Sequence, residues 1–374
     1  MTEGPLTVQP EKIGVGMLGY AFMGKAHTNA YRTLGYMTWP PPLEPELVAI
    51  AGRRADAVAA AAQRYGYERW TTDWHDIVSD PRVGLFDNNG PNSLHAEPTI
   101  AAARNGKHVL CEKPLGRTAE ESFEIWQQVE AAGVKHMCAF NYRFVPAVRL
   151  AREMVEAGEV GEIRHFRAVY LQDWGDDAAL DTWRFHAEEA GSGSLGDLGS
   201  HLVDLARFLV GEIASVSAVV RTFLPGRQVD DSFESVVEFD RGVVGTLEAT
   251  RLAHGHRNGL RFELNGSGGS IAFDLERLNE LRVYTVGRSR GFERVLVTEP
   301  EMPFWGWWWP PGHVLGWEHT FVHEIHHLLA AIANDTPVAP YGATFEDGYR
   351  AAEVCDAIVR AAHSGSRVAV EYRR

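Results

Sequence analysis

Ile13-Gly-Val-Gly-Met-Leu-Gly-Tyr-Ala-Phe-Met-Gly24 decides how the first third of this 374-residue chain is read. The run Ile13–Leu18 is apolar and ends at a glycine, as a buried strand does, and a helical pattern follows from Phe22 to about Leu34. A G-x-G-x-x-G search selects Gly14, Gly16 and Gly19. That match lies inside the strand, whereas a dinucleotide-binding turn must follow a strand and open a helix. The register that satisfies this rule is Gly19-Tyr-Ala21-Phe-Met-Gly24, one element later. There Gly19 makes the tight turn and Gly24 lets helix and strand pack closely. Ala21 replaces the glycine that lets backbone amides approach a pyrophosphate. The helix N-terminus at Phe22, Met23 and Gly24 then turns its partial positive charge towards the phosphates.

Outward from this turn, short apolar strands alternate with helical patterns. Leu47–Gly52, Arg82–Asn89, Lys107–Glu112 and Lys135–Asn141 read as strands; Ala55–Gly66, Ser93–Gly106 and about Ala119–Ala132 read as helices. Strands separated by helices of this length imply a parallel sheet wrapped by helices. Pro40–Pro45 reads as a loop insertion. After Asn141 the pattern changes to runs such as SVSAVVRTF, SFESVVEF and LRFELNG, in which apolar and polar residues alternate. Such runs predict a mostly antiparallel sheet with one solvated or interface-forming face. Helices at about 147–157, 198–210, 320–334 and 345–364 accompany it. The expected fold is therefore α/β followed by α+β. Residues 10–140 would form a Rossmann dinucleotide-binding domain, and 141–374 a domain for substrate binding and oligomerisation, built on a large mostly antiparallel sheet with flanking helices.

Composition narrows the function. Lys and Arg number 36 against 50 Asp and Glu, a net charge of −14, which disfavours nucleic acid as a partner. The three cysteines, Cys111, Cys138 and Cys355, are too few and too scattered for a disulfide framework or a thiolate zinc site. The sequence has no apolar run of the roughly 18 residues a membrane span needs, and its start lacks the layout of a signal peptide, so a cytoplasmic protein is expected. The second strand ends in Ala51-Gly52-Arg53-Arg54, without the acidic residue that binds the ribose of NAD. Arg53 and Arg54 could instead meet the 2′-phosphate of NADP, so the expected cofactor is NAD or NADP, with a lean towards NADP.

Three further motifs accompany the turn: Pro91-x-x-x-His95, Cys111-Glu112-Lys113-Pro114-Leu115, and Gly193-x-x-Gly196-Asp197-x-Gly199-x-His201-x-x-Asp204. With Met23-Gly24-x-x-His27, they make the chain resemble the Gfo/Idh/MocA oxidoreductases, over nearly its whole length to Phe345-Glu-Asp347-Gly348. The resemblance implies a dehydrogenase whose catalytic residues are Lys113, Asp197 and His201. It also places Asn89, Pro91, His95, Glu112 and Lys113 beside the cofactor, His95 being more structural than catalytic, and implies a cis bond before Pro114. The residue types suit the reaction. Alcohol oxidation moves a hydride to nicotinamide while a base takes the hydroxyl proton. Imidazole titrates near neutrality, Asp197 four residues earlier could orient the ring, and the Lys113 ammonium could polarise the reacting oxygen.

Asn141-Tyr142-Arg143, Gln172-Asp-Trp174 and Trp183-Arg184 should border the cleft with His201, and amide, Arg and Trp side chains suit a polyol. His319, with Trp317 and His313, is expected to complete the wall. The expected substrate is a sugar, an anhydrosugar or an inositol. An NAD-dependent glycosidase of the same fold and a non-catalytic dinucleotide-binding sensor are the alternatives. His323-Glu324-Ile-His-His327 formally matches the zinc pattern H-E-x-x-H, but spacing supplies no third ligand and no metal is expected. The aromatic stretch Trp305–Trp309 reads as a pocket lid or an oligomer contact, and two-domain members of the family suggest a homotetramer.

Overall fold

The computed structural model describes residues 10–177, 180 and 182–373. Its first sheet has six parallel strands: β1 (Lys12–Leu18), β2 (Glu44–Ala51), β3 (Arg69–Thr71), β4 (Leu85–Asn88), β5 (His108–Cys111) and β6 (His136–Cys138). Their order is β3-β2-β1-β4-β5-β6, so the winding reverses between β1 and β4 and a crevice opens beyond their carboxyl ends. Gly14 and Gly16 lie within β1, and the helix Phe22–Met37 opens after the turn at Gly19, as the second register requires.

The proline-rich loop corrects one expectation. β2 begins at Glu44 and includes Pro45, which pairs in register with Ile13. The proline is tolerated because β3 covers only Ala49–Ala51 on the other side, leaving the missing N–H at an unpaired edge. β3 itself, three residues long, is too short to show a period.

The second sheet has nine strands: β7 (Ile163–Leu171), β8 (Ile213–Arg221), β9 (Ser232–Phe239), β10 (Val244–Thr250), β11 (Gly259–Gly266), β12 (Gly269–Asp274), β13 (Glu280–Thr285), β14 (Glu293–Leu296) and β15 (Val368–Ala369). The order is β14-β13-β12-β11-β7-β10-β9-β8-β15, antiparallel except for the β7–β10 pair. Alternation sends Phe166, Phe233, Leu247 and Phe262 inward and leaves Arg167, Val236, Thr246 and Glu248 exposed. Each buried ring contributes on the order of 3 kcal/mol through removal from water.

Helices Pro146–Glu156, Ser200–Leu209 and Phe345–Ser364 cover the inner face. The last is fixed at its start by a capping box between Thr344 and Asp347 and also packs on the helix Ala119–Ala131. The helix His319–Ala333 lies along Phe22–Met37, so the chain's final third returns across its first. No helix among the described residues is long and apolar enough to cross a membrane.

Candidate active site

A cleft of about 1280 Å³ lies beyond the carboxyl ends of β1, β4, β5 and β6 and is closed on its far side by residues at the ends of β7 and β10. Gly19, with φ +98°, forms its turn; a Cβ there would sit 2.4 Å from the Asn89 carbonyl oxygen, so only glycine fits. Gly24 does not line the cleft: a Cβ on it would lie 2.2 Å from the Gly19 oxygen, and its role is to let helix meet strand. Ala21 caps the helix without a side-chain hydrogen bond, which leaves the first helical amides to an outside anion. Phe22, Met23, Asn89 and Pro91 line this side, and the Asn89 Oδ1 is buried without a partner. Glycine turn, open helix terminus and cleft size together fit a dinucleotide.

The two arginines after β2 separate. Arg53 reaches the cleft, whereas Arg54 is exposed, pairs with Asp56 at 3.1 Å and lies outside the lining. His95 lines the cleft and is buried. Its Nδ1 is 2.8 Å from the Pro114 oxygen and its Nε2 3.1 Å from the Gly90 oxygen, so it ties two cleft loops together.

Lys113 precedes a cis proline and projects into the cleft, where its Nζ donates to the Asp197 carbonyl oxygen at 2.8 Å and to Oδ1 at 3.1 Å. The other carboxylate oxygen, Oδ2, accepts from Arg251 Nη2 at 2.8 Å. Burial disfavours charge on Asp197, but Lys113, Arg251 and Arg184 outweigh it and hold the carboxyl well below the usual range. Asp197 sits in a π-helical turn, Leu195–Gly199, that leads into the helix bearing His201. Gly199 allows it, since a Cβ there would be 2.6 Å from the Phe233 ring.

Asp197 does not orient the His201 ring through a hydrogen bond among the described residues. Each carboxylate oxygen accepts from a cation instead. His201 instead faces the rings of Tyr142 at 4.5 Å, Phe140 at 5.8 Å and Tyr170 at 6.1 Å. Burial first and Lys113 second push its pKa well below the ordinary histidine value, against a smaller pull from Asp197. At neutral pH the ring is an uncharged base.

A connected polar wall stands beside it. The Tyr142 and Tyr170 hydroxyls are 2.8 Å apart, Tyr170 donates to Asn258 Oδ1 at 2.6 Å, and Gln172 Nε2 donates to the same oxygen at 2.8 Å. Trp174 Nε1 donates to Gln172 Oε1, and the Trp174 ring stacks on Phe185. Asn141 donates to Thr320 at 2.9 Å; it and Arg184 also line the cleft. Trp317 does so too, stacked on Phe22 at 5.3 Å.

Two substrate candidates lie elsewhere. Arg143 is buried beside the cleft, bonded to Asp204 at 2.6 Å and close to Asp347. His319 begins its helix, bonds to Gly316 and meets Trp308 edge-on; it lies outside the lining, as His313 also does.

Arg251, Tyr170, Asn258 and Arg257 line the cleft although the sequence reading did not select them. A signal existed for Arg251: it continues the inward series Gly245, Leu247, Ala249 on β10, where a charged residue has no ordinary reason to be.

Behind the phosphate turn lies a second charged cluster. His27 Nδ1 is 3.0 Å from Asp87 and its Nε2 3.0 Å from Glu112, whose other oxygen accepts from the Lys113 amide at 3.1 Å. Burial alone would lower the pKa of His27, but the two carboxylates raise it well above the ordinary value. Glu324 is fully buried with neither oxygen partnered, and burial pushes its pKa well above the ordinary carboxylate value.

The Trp/His tail forms a packed knot. Phe304 stacks on His323 at 4.4 Å, Trp307 sits 4.0 Å from the His326 ring, and Trp308 Nε1 donates to His323 Nε2 at 2.7 Å. His323 Nδ1 meets the Phe144 oxygen and His327 Nε2 the Val338 oxygen, so the two candidate zinc ligands are engaged by the fold. Among the described residues no three His, Cys, Asp or Glu side chains are grouped to hold a metal ion.

A phosphate-binding turn facing a lysine, a carboxylate and a neutral histidine across one cleft defines a nicotinamide-dependent oxidoreductase of CH–OH groups. Residues 13–140 match the oxidoreductase family with an NAD-binding Rossmann fold and residues 148–272 the GFO/IDH/MocA C-terminal domain. The chain belongs to the Gfo/Idh/MocA oxidoreductase family. Levoglucosan dehydrogenase of Pseudarthrobacter phenanthrenivorans is 42% identical, the match covering 96% of this chain and 98% of that protein. The scyllo-inositol 2-dehydrogenase (NAD(+)) of Bacillus subtilis is 31% identical over 69% of this chain and 71% of its own length. A solved levoglucosan dehydrogenase in complex with NADH and levoglucosan superposes with a TM-score of 0.93 at 43% identity, covering 96% of this chain and all of that one (100%).

Proposed function

We propose that this protein oxidises one secondary hydroxyl of a sugar-like polyol, with a 1,6-anhydrosugar of the levoglucosan type as its first candidate substrate. The single observation that carries the reading is the convergence of Lys113, Asp197 and His201 on a cleft that begins at a phosphate-binding turn. When bound, the nicotinamide dinucleotide supplies the hydride acceptor. The chain's own residues handle the proton: the neutral His201 takes it from the substrate hydroxyl as the carbon surrenders its hydride, leaving a ketone, a reduced nucleotide and an imidazolium. Lys113, anchored by Asp197, donates a hydrogen bond to the oxygen as negative charge builds there. Tyr142, Gln172, Asn258 and the Trp174 face supply hydrogen bonds and a flat apolar surface for the remaining hydroxyls and C–H groups.

The NADP lean rests on Arg53 alone, since Arg54 is spent on Asp56. A solved levoglucosan dehydrogenase holds NADH, so NAD and NADP are compared in one experiment. The protein is given levoglucosan, inositols and aldoses with each nucleotide, and reduction of the nucleotide is followed. Turnover of an anhydrosugar is expected, falling about 10²–10⁴-fold in Lys113→Ala and His201→Ala. Silence across the panel, or unaffected variants, would overturn the assignment; clearly tighter NAD would end the NADP lean. The exposed Val219, Val236 and Val244 on the open sheet face support a homotetramer paired through that face, and a monomer in light scattering would count against it.

A further inference from the structure

Arg251 follows β10 and is 1% exposed. One guanidinium nitrogen, Nη2, donates to Asp197 Oδ2 at 2.8 Å, while Nε and Nη1 are buried without partners. Its carbon lies 4.9 Å from the Trp174 ring centroid, so the flat face is held by an aromatic and the edge by a carboxylate. Lys113 holds the opposite oxygen of the same carboxylate at 3.1 Å. Asp197 is thus wedged between two cations. His201 lies within electrostatic reach of it, with Lys113, Tyr142 and Tyr170 as its other polar neighbours, but makes no hydrogen bond to it among the described residues.

We propose that Arg251 is a positioning residue that withholds Asp197 from His201, so that the histidine works as a free-standing neutral base and the aspartate serves as the anchor of Lys113. The inference rests on the dehydrogenase reading above and refines it. A carboxylate hydrogen-bonded to an imidazole stabilises its charged form, and an imidazolium cannot accept the substrate proton. With Oδ2 tied to Arg251, Asp197 acts on His201 only through space. Without the guanidinium, Oδ2 of this part-buried carboxylate loses its charged donor, and an imidazolium N–H at His201 can take that place. Arg184, the third cation near Asp197, makes no hydrogen bond to it among the described residues and does not replace the clamp.

The test reads His201 directly. The full-length protein, labelled with ¹⁵N-histidine, is titrated by NMR with the His201 signal assigned by its loss in His201→Ala. In Arg251→Met the His201 pKa should rise by about 1–3 units, the range an opposite charge within contact produces. Arg251→Lys, which keeps a cation in place, should stay near the unsubstituted protein. Thermal unfolding checks that each variant is folded, and Arg251→Gln is the second neutral variant should Arg251→Met not fold. A His201 titration that is unchanged or lower in the neutral variants overturns the proposal, as does an equal rise in Arg251→Lys. Because no substrate is needed, failure of the substrate panel and failure of this inference are separate results. For a substrate found in that panel, the acid limb of kcat/KM should move up with the His201 pKa in the same variants.

Discussion

His27 and His201 are both buried, 0% and 5% exposed, and both lie against an aromatic ring, yet their surroundings push their pKa values in opposite directions. Burial pushes each towards the neutral form. At His27 two carboxylates in hydrogen-bond contact, Asp87 and Glu112, reverse the push and the ring is an imidazolium. At His201 the Lys113 ammonium outweighs Asp197, and the carboxylate that could have reversed the push is held by Lys113 and Arg251. Burial therefore does not decide what a histidine does; the partner that touches it does. The charged one bridges Asp87 and Glu112 beside the Lys113 segment, and the neutral one lines the cleft, where the proposed reaction needs a proton acceptor.

Alanine at each position should break the pair apart in different measurements. His201→Ala removes the base, and kcat should fall about 10²–10⁴-fold with the midpoint of thermal unfolding little changed. His27→Ala leaves Asp87 and Glu112 as buried charges without their cation, and denaturant unfolding should show a loss of about 3–5 kcal/mol. The activity that remains in folded His27→Ala, assayed well below its unfolding temperature, should exceed that of His201→Ala. An unchanged unfolding midpoint in His27→Ala would show that the three side chains are not an ion-paired cluster.

This contrast also marks what a sequence carries. The parallel sheet was legible because each buried strand is an apolar run bounded by a glycine or a helical pattern, and the residues proposed as catalytic could be singled out because Glu112-Lys113-Pro114 and Asp197-x-x-x-His201 are short local strings. Arg251 was not legible in the same way: it lies 54 residues from Asp197, and only the sheet brings them together. Arg143 reads like a cleft residue by position but turns its guanidinium into Asp204. The H-E-x-x-H string shows the reverse error. His323 and His327 share a helix face as the spacing says, but burial drives the His323 pKa to about 3 and the fold occupies both rings. Local spacing reports which side chains can meet, whereas partners supplied by distant strands settle what they do.

Stability against pH should separate the two histidines by a smaller margin and with opposite sign. The folded-state pKa of His27 is raised, so its ion pairs add stability that is fully present below the unfolded value of about 6.5 and fades as pH climbs through the folded value. The stability gap between the protein and His27→Gln should then be widest near pH 6 and narrow in the alkaline range. For His201 the folded pKa is depressed, so the unfolded chain binds the proton more readily and the group costs stability as pH falls below about 6.5. His201→Gln should therefore gain on the unsubstituted protein as pH falls from 7 to 5, each unit of depression being worth about 1.4 kcal/mol at the low-pH limit. Urea unfolding of both variants at a series of pH values gives the two slopes. Two gaps that move in the same direction would mean that both histidines share one charge state, and the distinction between brace and base would fail.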